Sequence, residues 1–163
     1  ERTDILGNTN QITQICLDKI DQARQIAGFA THHTLFVAGV GSSETLANES
    51  IALITRKLWV GSGVDYATYG FVSKKAFPSL NDELNRLSAT VEGLLIVLPL
   101  IIFPGIYLKD IQRELNSFSS QFKGMIIEAD VISTSDKLAE LIINKIENKL
   151  NNRLSSFPYQ FLN

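Results

Sequence analysis

Cysteine is almost absent: Cys16 is the only one, which excludes an internal disulfide framework and a multi-cysteine zinc site. Histidine is nearly as scarce, with His32 and His33 adjacent and no others. Neither sign of charge is in excess. Fifteen Lys plus Arg against 17 Asp plus Glu give a net charge of −2, so a broad electrostatic grip on nucleic acid or acidic lipid is not expected. No apolar run reaches the ~18 residues of a membrane span. The longest, Leu94 to Phe103, is interrupted by Pro99. The first 30 residues lack a signal peptide's continuous apolar segment, so a soluble, cytoplasmic protein is expected. Glu1 stands where a nascent chain would have Met, so the sequence reads as processed, trimmed or a fragment.

What is present is an ordinary globular composition. The chain has 163 residues, 45% hydrophobic and 20% charged, enough for one domain with its own core. Apolar residues at helical spacing (Ile12, Ile15, Cys16, Ala23, Ile26, Ala27) predict a first helix. Asn8, Thr9 or Asn10 is placed to cap it and Gly28 to end it. Short apolar runs then alternate with amphipathic stretches. Strands are expected near 34–38, 66–72, 94–98 and 124–129. The intervening helices carry the stripes Ala47–Ile51–Ile54–Leu58, Leu80–Leu84–Leu87–Val91 and Leu108–Ile111–Leu115–Phe118. The last helix carries Leu138, Leu141, Ile142 and Ile146. Ser79 with Asp82, and Ser133 with Asp136, have the spacing of capping boxes.

Strand–helix alternation with apolar strands implies a parallel sheet covered on both faces. The expected fold is therefore an α/β three-layer sandwich with four parallel strands. The division is a leading helix and linker over 1–30, an α/β domain over 31–150 and a tail over 151–163. Ligands on such sheets sit beyond the carboxyl ends of the strands. That directs attention to three loops, Gly39 to Thr45, Ser73 to Pro78 and Pro99 to Lys109.

The Gly39-Val40-Gly41-Ser42-Ser43 run joins a strand to a helix. Its free amides, two hydroxyls and helix N-terminus suit an anion, although a tight turn that needs glycine explains it equally well. The third glycine of a dinucleotide fingerprint and the lysine of a phosphate loop are missing. His32 and His33 point to opposite faces of a strand at its amino end, which is a poor arrangement for one metal. Cys16 falls on a buried stripe and reads as an inert thiol. Tyr107, Lys109, Lys75, Glu44 and Glu128 lie near strand ends without a catalytic grouping.

Four words stand in one order: V-A-G-V-G-S-S-E-T-L-A-N-E (Val37 to Glu49), L-W-V-G-S-G (Leu58 to Gly63), P-S-L (Pro78 to Leu80) and V-L-P-L-I-I-F-P-G-I-Y-L-K-D-I (Val97 to Ile111). Together they resemble the CbiX-type sirohydrochlorin chelatases of cobalamin and sirohaem biosynthesis, closest to the carboxy-terminal half of the long, two-module form. The resemblance implies a chelatase-like fold of flavodoxin-like topology, with Co²⁺ or Fe²⁺ inserted into sirohydrochlorin as substrate and no bound cofactor. It also implies two histidines, one after the first strand and one after the third. At those places this chain has Val40 and the Ile106-Tyr107 pair. The family's G-x-H-P word after the fourth strand appears here as Ser133 to Asp136.

By this resemblance the chain is the catalytically degenerate half of a metal chelatase, inactive alone. Gly41, Ser42, Ser43, Tyr107 and Lys109 would hold the tetrapyrrole and its carboxylates. The expected partner is a homologous module bearing the histidines, or a second copy. The expected contacts are Leu108, Ile111 and Leu115 and the Phe157-Pro158-Tyr159 tail. A flavodoxin-like phosphate or small-molecule module and a purely structural pairing domain are the alternatives.

Overall fold

The computed structural model describes residues 10–28 and 32–155. Helix α1 spans Asn10–Ala27, and strand β1, His33–Gly39, follows it. Then come α2 (Thr45–Ser62), β2 (Tyr66–Phe71), α3 (Leu80–Thr90), β3 (Leu94–Pro99), α4 (Ile106–Ser119), β4 (Met125–Glu128) and α5 (Asp136–Ser155). The four strands form one sheet in the order β2-β1-β3-β4, and every pairing is parallel. Each strand begins and ends within about two residues of its expected bounds.

Strand alternation sorts the core into two layers. Leu35, Val37, Leu94, Ile96 and Leu98 face one side, packed with Ile12, Cys16 and Ile20 of α1, Ile54 and Leu58 of α2, and Leu138 and Leu141 of α5. Phe36, Ala38, Leu95 and Val97 face the other, packed with Leu84 and Leu87 of α3 and Ile111 and Leu115 of α4. Helix α1 is therefore part of the core and not a detached linker, although the sequence reads it as a leading segment.

Local chemistry sets the helix ends. Gly63 ends α2 in the left-handed region, at φ 64°, which glycine adopts without a Cβ penalty. Ser79 caps α3 by accepting from the Asp82 amide, as expected. The second expected capping box does not form at Ser133, which lies in a 3-10 turn over Ile132–Thr134. Helix α5 starts only at Asp136.

Three further expectations are corrected. Ile26, in the last turn of α1 and past its last buried residue Ala23, is 76% exposed. Ile142 and Ile146 are exposed on α5, whereas Leu138 and Leu141 of its first turns pack into the core. Helix α5 also continues to Ser155, so five residues assigned to the tail are helical. The Phe157-Pro158-Tyr159 segment and the caps at Asn8 and Thr9 lie outside the described residues.

Candidate functional site

The strand order fixes where a crevice opens. From β1 the chain turns toward β2, and from β3 it turns toward β4. The loops after β1 and β3 diverge at the carboxyl edge, the switch point where α/β sheets bind ligands.

The loop after β1 is a braced turn. Val40 is half-buried, and its carbonyl accepts from the Ser73 amide at 2.8 Å. Gly41 has φ +82°, and a Cβ there would lie 2.8 Å from the Ala76 Cβ and 2.9 Å from the Phe71 Cβ. The Ser42 amide donates to the Asn48 side-chain oxygen at 2.9 Å. The Asn48 side-chain nitrogen donates back to the Ser42 carbonyl at 2.8 Å. Ser42 Oγ accepts from the Glu44 amide. Of the three amides expected to face an anion, that of Ser42 is thus already used. Those of Gly41 and Ser43 have no partner among the described residues.

The other loops are tied to the strand ends and to one another. The Leu100 amide donates to the Ala38 carbonyl at 2.8 Å, and the Ile132 and Ser133 amides donate to the carbonyls of Ile101 and Ile102. After β2, the Phe77–Pro78 bond is cis and the Phe71 amide donates to the Pro78 carbonyl.

Loops and helix starts at this edge present apolar side chains to solvent. Phe77 is 77% exposed, Ile106 70%, Phe103 66%, Leu46 55%, Tyr107 46% and Ile102 38%. They come from the start of α2, from the loops after β2 and β3 and from the start of α4. Tyr107 is thus open at the edge, as a ligand-covering ring needs. Lys109, in the first turn of α4, is exposed too and has no ion pair among the described residues. By contrast, Ile111 and Leu115 are buried against the sheet, so they cannot serve as the outward contacts expected of them. Ile106 and Tyr107 take that place on α4.

The remaining titratable groups sit away from the switch point or at its margin. Glu128, at the end of β4, is pushed up by burial, partly offset by the Gln112 amide at 3.1 Å and reinforced by Asp130. His32 and His33 lie at the amino edge, where the His33 amide donates to Asp65 Oδ2 at 2.8 Å. That bond draws the Asp65 carboxyl down. Burial pushes the Cys16 thiol up to about 12, consistent with an inert core residue. Among the described residues no group of three or more His, Cys, Asp or Glu can hold a metal ion. No helix among them is long and apolar enough to cross a membrane.

Sequence reasoning did not find the apolar rim. A signal for it exists: two of the three Phe-Pro pairs, Phe77-Pro78 and Phe103-Pro104, lie in these loops. Proline removes the preceding residue from the helical region and a donor from the backbone, so the phenylalanines cannot fold back as helix residues.

Comparisons with known proteins agree with this geometry. No curated protein sequence matches the chain. SirB from Bacillus subtilis with Fe3+ superposes with a TM-score of 0.75 at 14% identity, over 93% of this chain and 58% of that one. A cobalamin-biosynthesis CbiX protein from Marinobacter aquaeolei VT8 gives 0.59 at 21% identity, over 74% of this chain and 97% of that one. CbiX, described as the terminal enzyme for biosynthesis of siroheme in denitrifying bacteria, gives 0.65 at 23% identity, over 88% and 59%. The chain therefore spans a little over half the length of SirB and of that siroheme CbiX. These likenesses carry the fold. The CbiX family model matches residues 34–149, from the start of β1 almost to the end of α5, and the chain belongs to the CbiX family.

Proposed function

We propose that this chain is the non-catalytic half of a sirohydrochlorin cobalto- or ferrochelatase, a wall of the tetrapyrrole cleft that leaves the histidine chemistry to a partner module. The observation that carries this reading is the exposed apolar rim of Leu46, Phe77, Phe103, Ile106 and Tyr107 at the sheet's switch point. A flat macrocycle offers an apolar face of matching character, and covering an exposed phenylalanine contributes about 1.5–3 kcal/mol. The Gly41 and Ser43 amides and the Lys109 ammonium are the donors left for the macrocycle's carboxylates.

Metal insertion replaces two pyrrole protons, which need acceptors. Val40 has none, and Ile106 and Tyr107 bring no imidazole to the other place. In this reading the histidines come from a homologous module, and the greater length of SirB and the siroheme CbiX leaves room for one. The metal, Co²⁺ or Fe²⁺, is a substrate. The place of action in this reading is the cytoplasm.

Titrating sirohydrochlorin by absorbance against the wild-type chain and a Phe77→Ser/Phe103→Ser variant tests this. Saturable binding that weakens at least about tenfold in the variant, with unchanged melting, is expected. Equal binding by both proteins removes the rim from the site.

A further inference from the structure

We propose that the cleft between α1 and the turn entering α5 is a binding site for a small carboxylate, held by Lys19 and Thr134. The cleft has a volume of about 510 Å³. None of its lining residues belongs to the loops after β1, β2 or β3. The inference stands apart from the tetrapyrrole reading.

Lys19 is 5% exposed, the only buried lysine among the described residues. Its ammonium donates to Thr134 Oγ1. Among the described residues it has no carboxylate within ion-pair distance. An ammonium carries three N–H donors, and here one of them meets a neutral hydroxyl. The other two have no protein partner among the described residues. A buried charge is tolerated when it is paired and its donors are satisfied, and this one is left a cleft in place of a counter-charge.

The neighbouring groups are committed elsewhere or complete the site. Asp18 is bonded by Lys137 at 2.5 Å and by Gln14 at 3.1 Å, and although it feels the Lys19 charge it makes no ion pair with it. The Thr134 hydroxyl donates to the Val131 carbonyl at 2.9 Å, which turns its lone pairs toward the ammonium. Ser135 and the first residues of α5 also line the cleft, where helix amides favour an anion. Asp130 and Asp136 stand at the same cleft and are exposed. With Asp18 paired to Lys137, these two further carboxylates disfavour a dianion, so the fitting group is a singly charged carboxylate and not a phosphate.

The test uses sodium acetate as the probe, with sodium chloride at matched ionic strength and sodium phosphate as comparison arms. Amide chemical shifts and melting temperature are followed in the full chain. Acetate is expected to give saturable shifts at Thr134 to Lys137 and a higher melting temperature, with phosphate weaker. Lys19→Met is expected to lose the acetate response at least about tenfold. Should Lys19→Met fail to fold, Thr134→Val on the exposed turn serves instead, with a several-fold weaker response expected. A response no larger than that to chloride, one unchanged in the folded variant, or one stronger for phosphate overturns the assignment. No tetrapyrrole is present, so failure here leaves the chelatase reading untouched, and the converse holds.

Discussion

Ser42 and Asn48 hold each other by two reciprocal hydrogen bonds, amide to side-chain oxygen at 2.9 Å and side-chain nitrogen to carbonyl at 2.8 Å. The pair is six residues apart and ties the loop after β1 to the first turn of α2. It fixes where the Gly41 and Ser43 amides point, at the cost of the Ser42 amide as a ligand donor. Asn48→Ala removes both bonds and is expected to destabilise the fold by about 1–2 kcal/mol and to weaken tetrapyrrole binding. Denaturant melts and the sirohydrochlorin titration report the two effects. An unchanged melting midpoint with unchanged affinity would show that the loop holds its shape without Asn48.

Two glycines at the same edge make a matched pair. Gly41→Ala places a Cβ 2.8 Å from the Ala76 Cβ at φ +82°, and about 1–3 kcal/mol of destabilisation is expected. Gly105→Ala meets nothing within 4 Å on extended backbone, and a change within about 0.5 kcal/mol is expected. Urea denaturation of both variants checks the contrast, and equal effects would contradict it.

Acid sensitivity follows from Glu83. Burial raises its carboxyl, but hydrogen bonds from Arg86 and Thr68 outweigh that and hold it below the ordinary value of 4.5. A carboxyl depressed in the folded state contributes stability above its unfolded value, and this is lost as pH falls through the folded value. Glu83→Gln is expected to be about 2 kcal/mol less stable than wild type at pH 7. The gap should shrink as pH drops below about 4.5. Parallel denaturation of the two proteins at pH 7 and pH 4 measures it, and a gap that grows toward acid would reverse the sign of the argument.

The strands were legible in the sequence, because Leu94 to Leu98 and Thr34 to Ala38 are uninterrupted apolar runs that only a covered parallel sheet accommodates. So was the special place of Gly41, between a strand and a helix. The Ser42–Asn48 pair was not legible, since a side-chain bond to a loop amide leaves no period in the sequence. The burial of Lys19 was hidden for a related reason. Its position continues the α1 stripe, but residue type argues for solvent, and only the partner at Thr134, 115 positions away, reconciles the two. Ile142 and Ile146 show the reverse failure: periodicity marks an apolar face but not whether anything lies against it. At the candidate site, Val40 and Tyr107 were marked by sequence. The exposed Phe77 and Phe103 were not, because loops have no repeat to read.

The most direct measurement is Co²⁺ insertion into sirohydrochlorin, followed by absorbance and corrected for the spontaneous rate, with the chain alone and with an added histidine-bearing CbiX module. The account predicts saturable binding of the tetrapyrrole but no turnover above background by the chain alone, and turnover when the second module is added. Saturable turnover by the chain alone would contradict it, because Val40 and Tyr107 would then stand in a competent active site and other residues would be accepting the pyrrole protons.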